Sequence, residues 1–121
     1  MNIKQVIVIR KDLNMRKGKM VAQGSHASIA FLTRRIQNQQ SLTNVQQSWL
    51  DNSFIKICVS VDSEQELLDI QQKAIDNNIE CHLVTDQGRT EFNGIPTHTC
   101  LALGPDYENL IDPITQHLKL L

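Results

Sequence analysis

The sequence predicts an α/β fold: a four-stranded mixed β-sheet flanked by helices on both faces, in the order β-α-(α)-β-α-β-β-α. Three observations carry this. Gln5 to Arg10 is a continuous apolar, β-branched run, as expected of a strand covered on both faces. Segments of helical period separate the first three strand-like runs, which implies parallel pairing through right-handed crossovers. The last two runs are joined without a helix, so one strand has to be antiparallel and the sheet mixed.

The elements follow in order. After the strand Gln5–Arg10, the polar stretch Lys11 to Lys17 is a loop that Gly18 closes. A long helix is expected over Lys19 to Ile36, with Val21, Ser25, Ser28, Ile29, Leu32 and Ile36 as its buried stripe. The small residues Gly24, Ala27 and Ala30 allow close packing on that side. Within the Gln/Asn/Ser-rich segment 37–53, Leu42, Val45, Trp49 and Leu50 fit a short amphipathic helix. Phe54 to Val61 is the second strand. Asp62-Ser63, followed by Glu64 and Glu66, opens a helix to about Asp76 whose inner face is Leu67, Ile70 and Ala74, with Leu68 as a further candidate. Ile79 to Thr85 is the third strand, and Asp86-Gln87-Gly88-Arg89-Thr90 is a turn. Thr99 to Leu103 is the fourth strand, closed by Gly104-Pro105. A last helix from about Asp106 to His117 carries Leu110, Ile111, Ile114 and Leu118.

The 121 residues fit one domain spanning 1–121, long enough to bury a core without disulfide or metal staples. With only 4% aromatic residues, that core rests on Ile, Leu, Val and Ala. No apolar run approaches the roughly 20 residues of a membrane span, and the N-terminus lacks the pattern of a signal peptide. Cys58, Cys81 and Cys100 are odd in number, widely spaced and set among apolar residues, which reads as three small buried hydrophobes in a reducing, cytoplasmic setting. Net charge is −1, but residues 1–35 hold eight basic residues against Asp12 alone, whereas the remainder holds four against twelve acids. Such a segment suits an anion-binding face, and equally a solvated one neutralised by the rest of the chain.

Two places could carry chemistry. The first follows the opening strand and begins the long helix: Met15-Arg16-Lys17-Gly18-Lys19 through His26-Ala27. Lys19, Gln23 and His26, at i, i+4 and i+7, share one helical face near an N-terminus that favours anions. The glycine spacing excludes a phosphate-binding Walker loop. The second is Asp86 to Thr90, at the end of a strand, with Pro96-Thr97-His98-Thr99 ahead of the next. Ligand sites of open α/β sheets gather outside the carboxyl ends of parallel strands, where both could lie. Read alone, Asp-x-Gly is a turn signal first. His82, alternating with apolar neighbours, reads as core or sheet surface; no partner is fixed for His98; and His117 suits a helix C-terminus. No residues have metal-ligand spacing and there is no serine-esterase elbow, so neither a metal nor a cofactor is expected.

These blocks resemble the signature of the archaeal/eukaryotic-type peptidyl-tRNA hydrolases. The resemblance runs through Arg10 to Ala27, Asp86 to Thr90, Thr99 to Pro105 and the terminal Leu110-Ile111-Asp112 … His117-Leu118-Lys119-Leu120, in family order. The chain departs from the pattern at Arg16, at Val21 and in the loop Gly94 to His98. The resemblance implies hydrolysis of the ester between a peptide and the tRNA 3′-terminal ribose, usually by a metal-free homodimer. It implies Lys19, Gln23, Asp86, Thr90 and Thr99 as site residues, with His26 inside the motif. Arg16, Lys17, Arg34, Arg35 and Arg89 are the cations expected to meet tRNA phosphates. A hydrolase of aminoacyl-tRNA and a non-catalytic RNA-binding or adaptor domain on the same scaffold are the alternatives. In chemical terms, Lys19 would stabilise the developing oxyanion, Asp86 would hold Lys19 and orient or deprotonate water, Thr90 and Thr99 would position water or the leaving oxygen, and Gln23 would bond the substrate. A lysine beside Asp86 would make it a weak base, which leaves His26 as the second candidate.

Overall fold

Alternation along the first strand sets the layers of the molecule. In the computed structural model, which describes residues 2–89 and 91–121, β1 (Ile3–Arg10) sends Val6 and Val8 to one face of the sheet and Ile7 and Ile9 to the other. The remaining elements are α1 (Lys17–Gln37), α2 (Asn44–Asp51), β2 (Ile55–Val61), α3 (Glu64–Asp76), β3 (Cys81–Asp86), β4 (Thr97–Tyr107), α4 (Glu108–Thr115) and β5 (Lys119–Leu120). On the Val6 face, Leu67, Ile70 and Ala74 of α3 and Ile111 and Ile114 of α4 bury against Val59, Val61, Leu101 and Leu103. On the other, Ala27 of α1 packs on Ile7, Ile9, Cys100 and Ala102, while Phe31 and Trp49 close over Ile3.

The sheet is mixed, as expected, but it has five strands rather than four, in the order β3-β4-β1-β2-β5. β1 and β2 are parallel, and the other three pairings are antiparallel. The added strand pairs Lys119 with Ser60 and Leu120 with Val59. Two residues are too few to show any period, so nothing in the sequence separates them from a fraying helix tail.

Three local expectations need correction. The stripe assigned to the core face of α1 lies mostly outside: Val21 is 70% exposed, Ile29 52% and Ile36 67%. The buried face is Gln23, Gly24, Ala27, Ser28 and Phe31. Small residues win it because the helix lies close on β1, where a Cβ on Gly24 would already touch Ile9 Cδ1 and Ile7 Cγ2. Second, β4 runs on through Gly104-Pro105 to Tyr107, and α4 is correspondingly shorter than expected. Gly104 has φ +85 and donates its N–H to the Glu80 carbonyl, and a Cβ there would meet Asp106 N at 2.7 Å. Third, Cys58 is exposed, whereas Cys100 is buried and Cys81 half-buried. The helix starts of α2 and α3 follow their sequences: Thr43 forms a capping box with Gln46, and the Ser63 hydroxyl accepts the Glu66 N–H.

Candidate active site

Strand directions bring the two candidate segments together. Because β4 is antiparallel to both β1 and β3, those two strands run the same way. The end of β1, which leads to α1, the end of β3 and the start of β4 therefore share one edge of the sheet. Helix α1 begins at Lys17, two residues earlier than expected, which puts Lys19 in its first turn. Asp86 is the last residue of β3.

The side chains meet. Lys19 Nζ donates to Asp86 Oδ1 at 2.9 Å, and both side chains are largely shielded, with 14% and 15% exposure. Gln23 Nε2 reaches the same oxygen at 3.4 Å. The backbone N–H of Gly88 donates to Asp86 Oδ2 at 2.8 Å. Both carboxylate oxygens are thus engaged. The Lys19 hydrogen bond holds the Asp86 carboxyl below its ordinary value; partial burial works against this, while the Gly88 N–H and the charges of Lys19 and His26 add to it.

Thr99 reaches this group through an irregularity in the sheet. Val84 pairs with Cys100 and Thr85 with His98, so Thr99 is the extra residue of a β-bulge. Strict alternation would turn Thr99 and Cys100 to opposite faces. Instead the Thr99 hydroxyl donates to Gln23 Oε1 at 2.6 Å, and Cys100 Sγ donates to the Gln23 carbonyl at 3.3 Å. Fully buried Thr99 thereby fixes the Gln23 amide, whose nitrogen faces Asp86. Arg10 steadies the start of β4 by donating to the His98 carbonyl at 3.1 Å while it chelates Asp12.

A cavity of about 360 Å³ opens over this arrangement, lined by Lys19, Gln23, His26, Val84, Thr85, Asp86, Gln87 and Arg89. His26 is exposed at its rim and Arg89 is solvent-facing. Thr90 lies outside the described residues. Arg16 is 91% exposed and 3.9 Å from Glu91. Lys17 and Arg34 are exposed at opposite ends of α1. Arg35 is tied down, with its guanidinium on Glu80 at 2.5 Å and on the Ser41 carbonyl at 3.1 Å. His82 also engages Glu80, at 2.6 Å, and His98 engages Thr85 at 2.9 Å. Phe92, whose ring lies 5.6 Å from Lys19 Nζ, carries no signal of this contact in the sequence. No spacing rule links the two, because the loop after β3 alone sets their approach.

The sequence pattern of the peptidyl-tRNA hydrolase PTH2 family matches residues 3–121. The chain belongs to this family. Among similar proteins, the peptidyl-tRNA hydrolase of Methanocaldococcus jannaschii is 45% identical over 120 residues, covering 98% of this chain and all of the relative. That of Methanothermobacter thermautotrophicus is 42% identical over 119 residues, again 98% of this chain and all of the relative. That of Saccharolobus islandicus strain L.S.2.15 is 40% identical over 120 residues, 98% of this chain and 99% of the relative. A solved structure of a protein of unknown function from Agrobacterium tumefaciens strain C58 superposes with a TM-score of 0.62 over 100% of this chain and 98% of that one; at 13% identity it speaks to the fold alone. In this peptidyl-tRNA hydrolase family member the cavity is lined by one ammonium, one guanidinium, one carboxylate, two amides and an imidazole, a set suited to polar acyl chemistry. Among the described residues, no three His, Cys, Asp or Glu side chains are grouped as a metal site would need.

Proposed function

We infer that this protein hydrolyses the ester bond of peptidyl-tRNA, releasing the peptide and free tRNA. The observation that carries this reading is the convergence of Lys19, Asp86, Gln23 and Thr99 beneath one open cavity in a chain of this family. Water attacks the ester carbonyl, the bond to the ribose oxygen breaks, and the proton lost by water ends on that oxygen. Lys19 faces the charge that develops on the carbonyl oxygen. Asp86 already accepts three hydrogen bonds and is held ionised below the ordinary carboxylate range. It therefore orients Lys19 and water, since a carboxylate of lowered pKa is a weak base. His26 at the cavity rim is the base in this scheme. Gln23, aligned by Thr99, bonds the substrate near the ester, and Thr90 acts on water or the leaving oxygen as the family motif implies.

The domain is one unit of residues 1–121, acting in the cytoplasm, and no helix among the described residues is long and apolar enough to cross a membrane. Arg16, Lys17, Arg34 and Arg89 meet tRNA phosphates. Arg35 contributes least, because Glu80 already answers its charge. The protein works as a homodimer joined through the apolar groove of about 650 Å³ between α1 and β2, where Val21, Ile29 and Leu121 stand exposed.

Single-turnover hydrolysis of labelled peptidyl-tRNA at saturating enzyme tests the reading. Lys19→Ala and Asp86→Ala should each slow the step by about 10²–10³. Their tRNA affinity should stay near that of the parent, and the double variant should be little worse than either single one. Near-parental rates in both folded variants would remove the pair from the mechanism. A preference for aminoacyl-tRNA in the same assay would reassign the substrate.

A further inference from the structure

Among the described residues, the Lys19 ammonium meets partners of different kinds, a carboxylate and an aromatic ring. Asp86 Oδ1 attracts it through a full charge at 2.9 Å. Phe92 presents its ring at 5.6 Å from Nζ to centroid, within the roughly 6 Å over which an aromatic face attracts a cation. The ring is not free to drift. It packs half-buried against the cluster of Ile7, Ile9, Met15 and Cys100. Its loop is braced by Gly94 N–H on the Gly88 carbonyl and Ile95 N–H on the Phe92 carbonyl, at 2.8 and 2.9 Å. The Gly88 N–H in turn binds Asp86 Oδ2, so the loop that carries Phe92 also fixes the Asp86 carboxylate.

The two attachments differ in consequence. A carboxylate that fully captures the ammonium cancels its field, and a cancelled charge does little for an oxyanion. An aromatic face attracts the cation through its quadrupole yet carries no net charge, so the positive charge stays available to the reaction. A four-carbon stem with several rotamers needs more than one anchor to keep its head in one place. We propose that Phe92 is a positioning residue for the ester hydrolysis: through its ring face it holds the Lys19 ammonium where the oxyanion forms, without neutralising it. The proposal rests on the role given to Lys19 above.

Phenylalanines carrying one, two or three ring fluorines, introduced at position 92 alone, nearly keep the ring's shape while draining its face of negative potential. The single-turnover rate on labelled peptidyl-tRNA should fall stepwise with fluorine number, by about threefold to thirtyfold in total. The dissociation constant for tRNA and the melting temperature should not move. Phe92→Tyr should keep the parental rate within about twofold, and Phe92→Leu should fall with the most fluorinated ring. In a Lys19→Ala background the fluorine series should be flat. If the series is flat in the parental background while Lys19→Ala is slow, Phe92 has no such role and the reading of Lys19 stands. A parental rate for Lys19→Ala overturns both. A fluorine dependence that survives without Lys19 assigns the ring to the substrate instead and overturns the proposal.

Discussion

Gly88 bears more of the site than its size suggests. Its N–H fixes Asp86 Oδ2, and its carbonyl receives Gly94, which closes the loop carrying Phe92. Its φ is +80, in the region side chains rarely enter, and an added Cβ would collide with the Ile95 carbonyl oxygen and lie 2.7 Å from Ile95 N. Gly88→Ala should therefore cost about 1–3 kcal/mol locally. Because the strain falls in a loop that touches only the margin of one core cluster, through Phe92, the melting temperature should drop modestly while the single-turnover rate falls at least about tenfold, since displaced reacting groups are expensive. Parallel thermal melts and kinetics would check this. Thr99 and Cys100 make a related point: the sequence offers two adjacent residues of opposite expected facing, and only the bulge turns both toward Gln23.

Glu80 joins three elements at their ends. Its carboxylate receives Arg35 from α1 and Gln46 from α2 on one oxygen, and meets His82 of β3 on the other. Burial pushes this carboxyl upward, but the hydrogen bonds of His82 and Arg35, with their charges, outweigh it and bring it down from 4.5 to about 2. A pKa depressed in the folded state favours folding above the unfolded value, so this stabilisation is complete above about pH 4.5 and is lost as pH falls from there through about 2. Allowing for partial exposure, Glu80→Gln should cost about 1–2 kcal/mol at neutral pH. Urea midpoints at pH 6 and pH 3 check it: the gap between parent and variant should narrow at the lower pH. The same network removes Arg35 from the free cations, although in sequence it looks identical to its neighbour Arg34.

At the scale of the whole molecule, the basic segment and the exposed face of α1 lead to two solution measurements. Affinity for tRNA should fall steeply with salt. Replacing Arg16 and Lys17 together by Ala should weaken binding and flatten the slope of log K against log salt by about one to two. Arg34→Ala should have a smaller effect, since it stands about 25 Å along the helix from Lys17. A slope that is flat in the parent would exclude phosphate contacts as the main source of affinity. Separately, Val21→Asp with Ile29→Asp should convert a dimer to a monomer in sedimentation at micromolar concentration. Both residues are exposed, so the fold should survive the change. A parent that sediments as a monomer would dispose of the dimer.

Each local pattern in the sequence carried its own element. The uninterrupted apolar run of β1 required cover on both faces, Ser63 marked the start of α3, and Leu67, Ile70 and Ala74 named the inner face of that helix. Lys19, Gln23 and His26 were legible as one stripe because helical spacing alone puts them together. What spacing could not supply was partnership. An apolar stripe on a long helix shows that the helix has a face, whereas packing distance decides which face is buried; on α1 the closeness demanded by Gly24 and Ala27 left Val21 and Ile29 outside. The contact between Lys19 and Asp86, 67 residues apart, exists because β4 reverses between two strands of common direction. The bulge that turns Thr99, the ring beside Lys19 and the two-residue β5 likewise depend on pairing across the chain, since strand register and loop closure are settled only when distant segments compete for the same backbone hydrogen bonds.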